Sequence, residues 1–368
     1  MGYNHYICIE IKKSNMRTSV SIVIPVYNVE LYIEECLLSV IGQSYDHSLL
    51  ECIIVNDCTP DNSMEIVDKV IKDYKGKITF KIISHENNQG LSVACNSGMK
   101  HVTGDYLFFL DSDDYLLPDC ILLLVEALKD NPHAELSIGN FYYEMNGKYF
   151  YELTANKVIH NINYLYFGIF KKVSVWNMLI KNELIDNSIV FDDGILFEDT
   201  TFDLKLFPKV SCAVIIPQAT YFYRDNNSGI IKRTQYKKID KTINSYFHIL
   251  NSYIEHLDKR CFVGQCTAAF TLGVLFVDFL RNNEKNIIEI QKVRSSFDVI
   301  CKKYIFKNLK NFRIVLCTLF ILWLNPFNKI FNFRLCRRHY DNVIALFWHL
   351  ALWCDIFHKR NKNMDISR

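Results

Sequence analysis

From Val20 to Val26 every position but Ser21 is apolar, a short continuous run of the kind that forms a strand buried on both faces of a sheet. After Asn28 the period changes. Ile33, Cys36, Leu37, Val40 and Ile41 recur at helical spacing, so the apolar stripe of an amphipathic helix follows the strand. Residues 52–55 predict a second buried strand, which ends in polar Asn56 and Asp57. Asp61 or Ser63 then caps a helix that carries Ile66, Val67, Val70, Ile71 and Tyr74 on one side. Residues 78–83 read as a third strand, Leu91–Met99 as a short helix, and 106–110 as a fourth strand running straight into Asp111.

Strands alternating with helices imply an α/β fold with a Rossmann-like, mostly parallel sheet. Ligands of such sheets gather outside the carboxyl ends of the strands. Those ends carry Tyr27 with Asn28, then Asp57, then Asp111 with Asp113, so three polar clusters converge on one edge. Beyond Pro118 the pattern predicts a helix to about Lys129, a strand over 135–138, and a hairpin within 141–151 that turns at Asn146-Gly147. Past residue 235 long helical stretches take over. The chain thus divides into a polar leader over 1–18, a catalytic domain over 19–230, and a helical C-terminal region over 231–368. The catalytic domain splits into a donor half at about 19–125 and an acceptor half at about 126–230.

Half of the 368 residues are hydrophobic and 22% are charged, a composition that can bury a large core and excludes a disordered chain. The formal net charge of +2 carries no footprint for nucleic acid, which is not expected as a partner. The thirteen cysteines lack zinc-ligand spacing; the nearest two, Cys261 and Cys266, have no second pair beside them. With no signal peptide evident, reduced thiols in a cytoplasmic setting are expected.

The densest chemistry lies at Asp111-Ser112-Asp113-Asp114, where an apolar strand delivers several carboxylates at once. Such a cluster is costly without a cation. Magnesium or manganese takes few carboxylates and keeps positions open for phosphate oxygens, as a diphosphate leaving group requires. Taken alone, the same residues also suit a solvated turn before the helix that Pro118 begins.

Read in order, Ile24-Pro25-Val26-Tyr27-Asn28, Val55-Asn56-Asp57, Asn88-Gln89-Gly90, Asn96-Ser97-Gly98 and Leu110-Asp111-Ser112-Asp113-Asp114 resemble glycosyltransferase family 2. The resemblance is strong over about 19–125 and looser to about 225. It implies a GT-A fold and transfer of a sugar from a nucleotide-diphosphate donor, usually with inversion at the anomeric carbon. It places Pro25 and Tyr27 along the nucleoside, gives Asp57 a hydrogen bond from a uracil base, puts Asp111 at the ribose or a metal-bound water, and makes Asp113 the ligand of Mn2+ or Mg2+. A helix N-terminal carboxylate is the plainer reading of Asp57. Cys58 stands where a glycine is common, and Cys95 where an arginine often precedes the asparagine. Neither change removes a carboxylate.

Val175-Trp176-Asn177 and Phe197-Glu198-Asp199-Thr200 resemble the family's acceptor-side motifs, with Met178 in place of a usual lysine. Asp199 is the expected general base, beside Glu198, because transfer to a hydroxyl needs a carboxylate within reach of its proton. Helix capping is the alternative for Asp199. Trp176 suits either stacking on an acceptor sugar or plain core packing, and Arg224 either a diphosphate contact or an ordinary surface position.

In the C-terminal region the apolar run 314–324 has about half the length needed to span a bilayer. Lys307, Lys310 and Arg313 precede it, Lys329, Arg334, Arg337 and Arg338 follow, and 343–357 adds a second aromatic stretch. Peripheral contact with the inner face of the cell membrane and a hairpin packed on the catalytic domain both fit. The leading expectation is an inverting hexosyl- or N-acetylhexosaminyltransferase that uses a UDP-sugar and extends a glycan or lipid-linked glycan of the cell surface. The alternatives are a nucleotidyltransferase, for which residues 25–32 lack the glycine and lysine of a phosphate loop, and a degenerate protein that binds nucleotide sugars without turnover.

Overall fold

The computed structural model describes residues 17–143, 154–160 and 174–226, with Gly229 and separate positions between 241 and 252. The hairpin expected at Asn146-Gly147, the Cys261/Cys266 pair and the apolar segments within 305–357 lie outside the described residues.

The first half of the sheet follows the hydrophobic pattern closely. Strands β1 (Val20–Val26), β2 (Leu50–Asn56), β3 (Thr79–Ser84) and β4 (Tyr106–Phe109) are parallel in the order β3-β2-β1-β4. In register, Val20 pairs with Leu50 and with Tyr106. Pro25, which has no N–H to donate, sits on β1 beyond the last residue paired with β4. Helices α1 (Ile33–Ile41), α2 (Ser63–Asp73) and α3 (Leu91–Met99) connect these strands. Just ahead of α2, Asp61 accepts from the Ser63 backbone N–H at 3.1 Å and from its hydroxyl at 2.6 Å, while Asn62 holds the N-cap position without a side-chain bond.

Beyond β4 the sheet becomes mixed. The helix α4 (Cys120–Asp130) follows the two-residue strand β5 (Tyr115–Leu116), and then come β6 (Leu136–Tyr143), β7 (Lys157–Ile159), β8 (Met178–Lys181), α5 (Glu198–Leu206) and β9 (Ala213–Tyr223). The order continues β4-β8-β6-β9-β5, with β7 also on β9. Strand β8 runs antiparallel to both β4 and β6, so the mostly parallel expectation holds as far as β4 and gives way there.

Side chains alternate across β1. Ile22, Ile24 and Val26 face a core shared with Ile33, Leu37, Phe108 and Leu124, while Val23 faces the opposite core with Val55, Ala94, Phe109 and Phe202. Helix α3 lies so close to the sheet that a Cβ on Gly98 would come within 2.4 Å of Val23. Truncating a fully buried aromatic such as Phe202 to alanine costs about 3–5 kcal/mol in such cores. Among the described residues no helix is long and apolar enough to cross a membrane.

Candidate active site

The acidic turn after β4 is fastened by β9 and the residues just past it, more than a hundred positions along the chain. Asp114 is 2% exposed; one carboxylate oxygen accepts from the Tyr221 hydroxyl at 2.7 Å and the other from the Arg224 backbone N–H at 2.8 Å. Burial, followed by the charges of Asp113 and Asp111, pushes its proton affinity well up. Asp114 is therefore an anchor for β9. Arg224 donates from Nε to the Asp113 carbonyl at 2.9 Å, pairs with Glu35 of α1, and lies over the Tyr32 and Tyr115 rings at 5.2 and 5.5 Å. It is not an ordinary surface arginine, since all of these contacts lock the acidic turn to α1. Asn226 donates to a carboxylate oxygen of Asp113 at 2.8 Å.

At the carboxyl end of β1, Pro25 is buried in the strand, and Tyr27, 41% exposed, lies just beyond its end. Asn28 follows in the left-handed region, its N–H bonded to the Thr59 hydroxyl at 2.8 Å. Asp57 departs from expectation. It is 2% exposed, and its carboxylate already accepts four bonds: from His85 at 2.7 Å, Asn88 Nδ2 at 2.9 Å, and the Gln89 and Gly90 backbone N–H groups at 2.8 and 2.7 Å. Four donors saturate a carboxylate. Asp57 thus ties the loop ahead of α3 to the end of β2, instead of standing open to a uracil base. His85, missed in the sequence, spans from Asp57 through Nδ1 to the Ser97 hydroxyl through Nε2 at 2.9 Å. Its position one residue past β3, at the same edge as Asp57, was the available signal. Cys58 has φ 54°, a conformation glycine adopts without strain, which accounts for the glycine of relatives.

Trp176 is not placed to stack on a sugar. It is 8% exposed, stacked on Tyr221 and Tyr223 at 4.6 and 5.3 Å and met edge-on by Phe141 at 4.8 Å. Both ring faces serve the core. Asn177, fully buried, donates to the Asn140 carbonyl at 2.9 Å and accepts from the Thr220 hydroxyl at 2.6 Å, so the Trp-Asn pair joins β6 to β9. Met178 is buried at the start of β8.

Glu198 and Asp199 open α5 immediately after Phe197, another left-handed residue at φ 61°. Burial and then the charges of Glu198, Asp111 and Asp203 push the Asp199 carboxyl well up, opposed by a backbone hydrogen bond from Val175. Asp111 is raised by burial, then by Asp113 and Glu198. The charges of Asp111, Glu198, Asp199 and Asp57, four acidic groups from three segments, all add to the rise that burial imposes on the Cys95 thiol.

Could these residues hold a divalent cation? Among the described residues no three His, Cys, Asp or Glu side chains form a ready metal cage. An arrangement with few protein ligands, acidic neighbours of raised proton affinity and open positions suits a hard ion completed by phosphate oxygens. Asp113, one carboxylate oxygen of which accepts from Asn226, is the residue that would hold such an ion.

Residues 21–189 match the family described as Glycosyl transferase family 2. The protein named uncharacterized glycosyltransferase EpsJ of Bacillus subtilis (strain 168) is 30% identical over 254 residues, 64% of this chain and 70% of that one. An uncharacterized glycosyltransferase of Haemophilus influenzae is 31% identical over 231 residues, 62% of this chain and 87% of that one. The chain therefore belongs to glycosyltransferase family 2 and is a glycosyltransferase. Among solved structures, S. aureus TarS 1–349 in complex with UDP-GlcNAc matches with a TM-score of 0.61 and 21% identity, over 77% of this chain and 81% of that one. The likeness shows a shared fold, the GT-A type.

Proposed function

We propose that the protein moves a sugar from a UDP-linked donor to a hydroxyl of a growing cell-surface glycan, with inversion at the anomeric carbon. The observation that carries this reading is that Asp111, just past the carboxyl end of β4, and Glu198 and Asp199, at the start of α5, act on one another's charge within a family 2 glycosyltransferase. A donor of this kind is supported by the shared fold with S. aureus TarS 1–349, whose structure contains UDP-GlcNAc. Tyr27 lies along the nucleoside, Asp111 faces the ribose side, and the loop held by Asp57 frames the base. Asp113 would hold Mn2+ or Mg2+, which when bound neutralises charge on the departing diphosphate.

Asp199, held by the Val175 N–H, removes the proton from the attacking hydroxyl. The hydroxyl oxygen bonds to the anomeric carbon from the side opposite the diphosphate. The bond from that carbon to the β-phosphate oxygen breaks, and its electron pair leaves with the nucleoside diphosphate. Calorimetric titration of the protein with UDP, with manganese and with chelator, tests the donor side. Binding should require the metal and be severely weakened in Asp113→Asn; equal affinity in chelator would reject the metal role.

A further inference from the structure

The segment 191–197, which presents Glu198 and Asp199, is secured from both sides. On the donor side Asn96 of α3 makes a reciprocal pair with the Phe191 main chain: its amide donates to the Phe191 carbonyl at 2.9 Å and its carbonyl accepts the Phe191 N–H at 2.9 Å. On the other side the Leu196 N–H donates to the hydroxyl of Ser245 at 2.9 Å. Ser245 is 1% exposed, and its hydroxyl in turn donates to the Lys241 carbonyl at 2.7 Å. The same stretch places His248 against Asp192 at 2.9 Å and buries Ile249 in the core that contains Phe202 and Phe191. Asp192 is also paired with Lys205 of α5. Immediately past these fastenings lies left-handed Phe197, a conformation a bulky residue keeps only when its surroundings impose it.

We infer that Asn96 and Ser245 are positioning residues: together they clamp 191–197 and so set where Asp199 meets the acceptor hydroxyl. The inference rests on the reading of Asp199 as base. Lys241, Ser245, His248 and Ile249 are then a working part of the transferase site. Lys241 strengthens this placement, because its charge acts on Glu198, one residue from the base, where Cys95 supplies no cation. The donor half and the C-terminal region thereby meet at one segment, although neither contributes the base. Misplacing a catalytic group costs turnover while leaving the remainder of the site intact.

The test uses the full chain and the variants Asn96→Ala, Ser245→Ala and Ser245→Thr, the last keeping a hydroxyl for Leu196. UDP affinity in manganese is read by calorimetry and UDP release from a panel of UDP-sugars by a coupled assay. Both alanine variants should hold UDP within about twofold of the parent and lose about tenfold or more in turnover at saturating donor, with Ser245→Thr restoring most of it. Unchanged turnover in both, or UDP affinity falling in step with turnover, would overturn the clamp. Amide exchange over 196–203 is followed in parallel. It should quicken by about tenfold in Ser245→Ala with strands β1 and β2 unaffected, and no change would reject the inference. The exchange result stands even where no UDP-sugar turns over, which would instead count against Asp199 as base.

Discussion

Asp57 and Asp114 are both buried carboxylates that bind main-chain N–H groups at the edge of the sheet, yet they are held in different ways. The partners of Asp57 lie 28 to 33 residues along the chain, all in the loop between β3 and α3. Those of Asp114 lie 107 and 110 residues away, at the end of β9. The Asp57 end of the proposed site is thus built into consecutive βα units. The Asp114 end forms only once β9 has docked, and it is correspondingly exposed to changes far off in sequence.

The largest expected effect lies on the acceptor side. Asp199→Asn should lower turnover by about a hundredfold to ten-thousandfold with UDP affinity nearly unchanged, because removal of a general base affects the transition state more than the bound donor. Burial and neighbouring carboxylates raise the proton affinity of Asp199, and the base must be ionised to act. The rise of kcat with pH should accordingly sit above the ordinary carboxylate range. Glu198→Gln is the control: a dead Glu198→Gln beside an active Asp199→Asn would move the role to the neighbour.

A smaller and more local effect is expected on the nucleoside side. Asp57→Asn sets an amide N–H₂ against the donors that now meet the carboxylate, which should cost about 2–4 kcal/mol in denaturant unfolding. Amide exchange should rise first at Gln89 and Gly90 and leave α5 unaffected. A loss of protection spreading equally through α5 and β9 would break the contrast between the two sides.

The smallest effect is a gain. Cys58→Gly relieves a left-handed cysteine and should stabilise the chain by about 1 kcal/mol, read as a rise in Tm; a fall would show that the thiol contact to the Glu86 carbonyl outweighs the strain.

How much of this was legible in the sequence follows the same division. Strands β1, β2 and β4 and helices α1, α2 and α4 are visible because each buries one face or both, and burial writes a period of two or of 3.6 into the chain. The carboxylates at the strand ends are visible for the same reason: once a strand is located, its last polar residue marks the edge. Their partners are not. Nothing near Asp57 indicates that His85, Asn88, Gln89 and Gly90 use all its oxygens, and nothing near Asn96 points to Phe191, 95 residues on. Trp176 shows the limit sharply, because an aromatic that binds sugar and one that fills a core have the same sequence appearance; Tyr221 and Tyr223, which occupy its faces, come from β9. Arg224 likewise acquires its meaning from Glu35, Tyr32 and Tyr115, which share no local pattern with it.

The wait imposed by β9 has a consequence on the ribosome. At about 5–20 residues per second, the 107 residues that separate Asp114 from Tyr221 take about 5 to 20 seconds to synthesise. During that interval β1 to β4 can assemble, while the nascent acidic turn must keep Asp114 hydrated, without the hydroxyl and N–H that later cover it. Docking of β9 then removes water from the turn and attaches it to α1. A ribosome-stalled chain ending before Tyr221 should therefore display folded parallel strands and a solvent-open acidic turn, so that the turn closes well after the first core has formed.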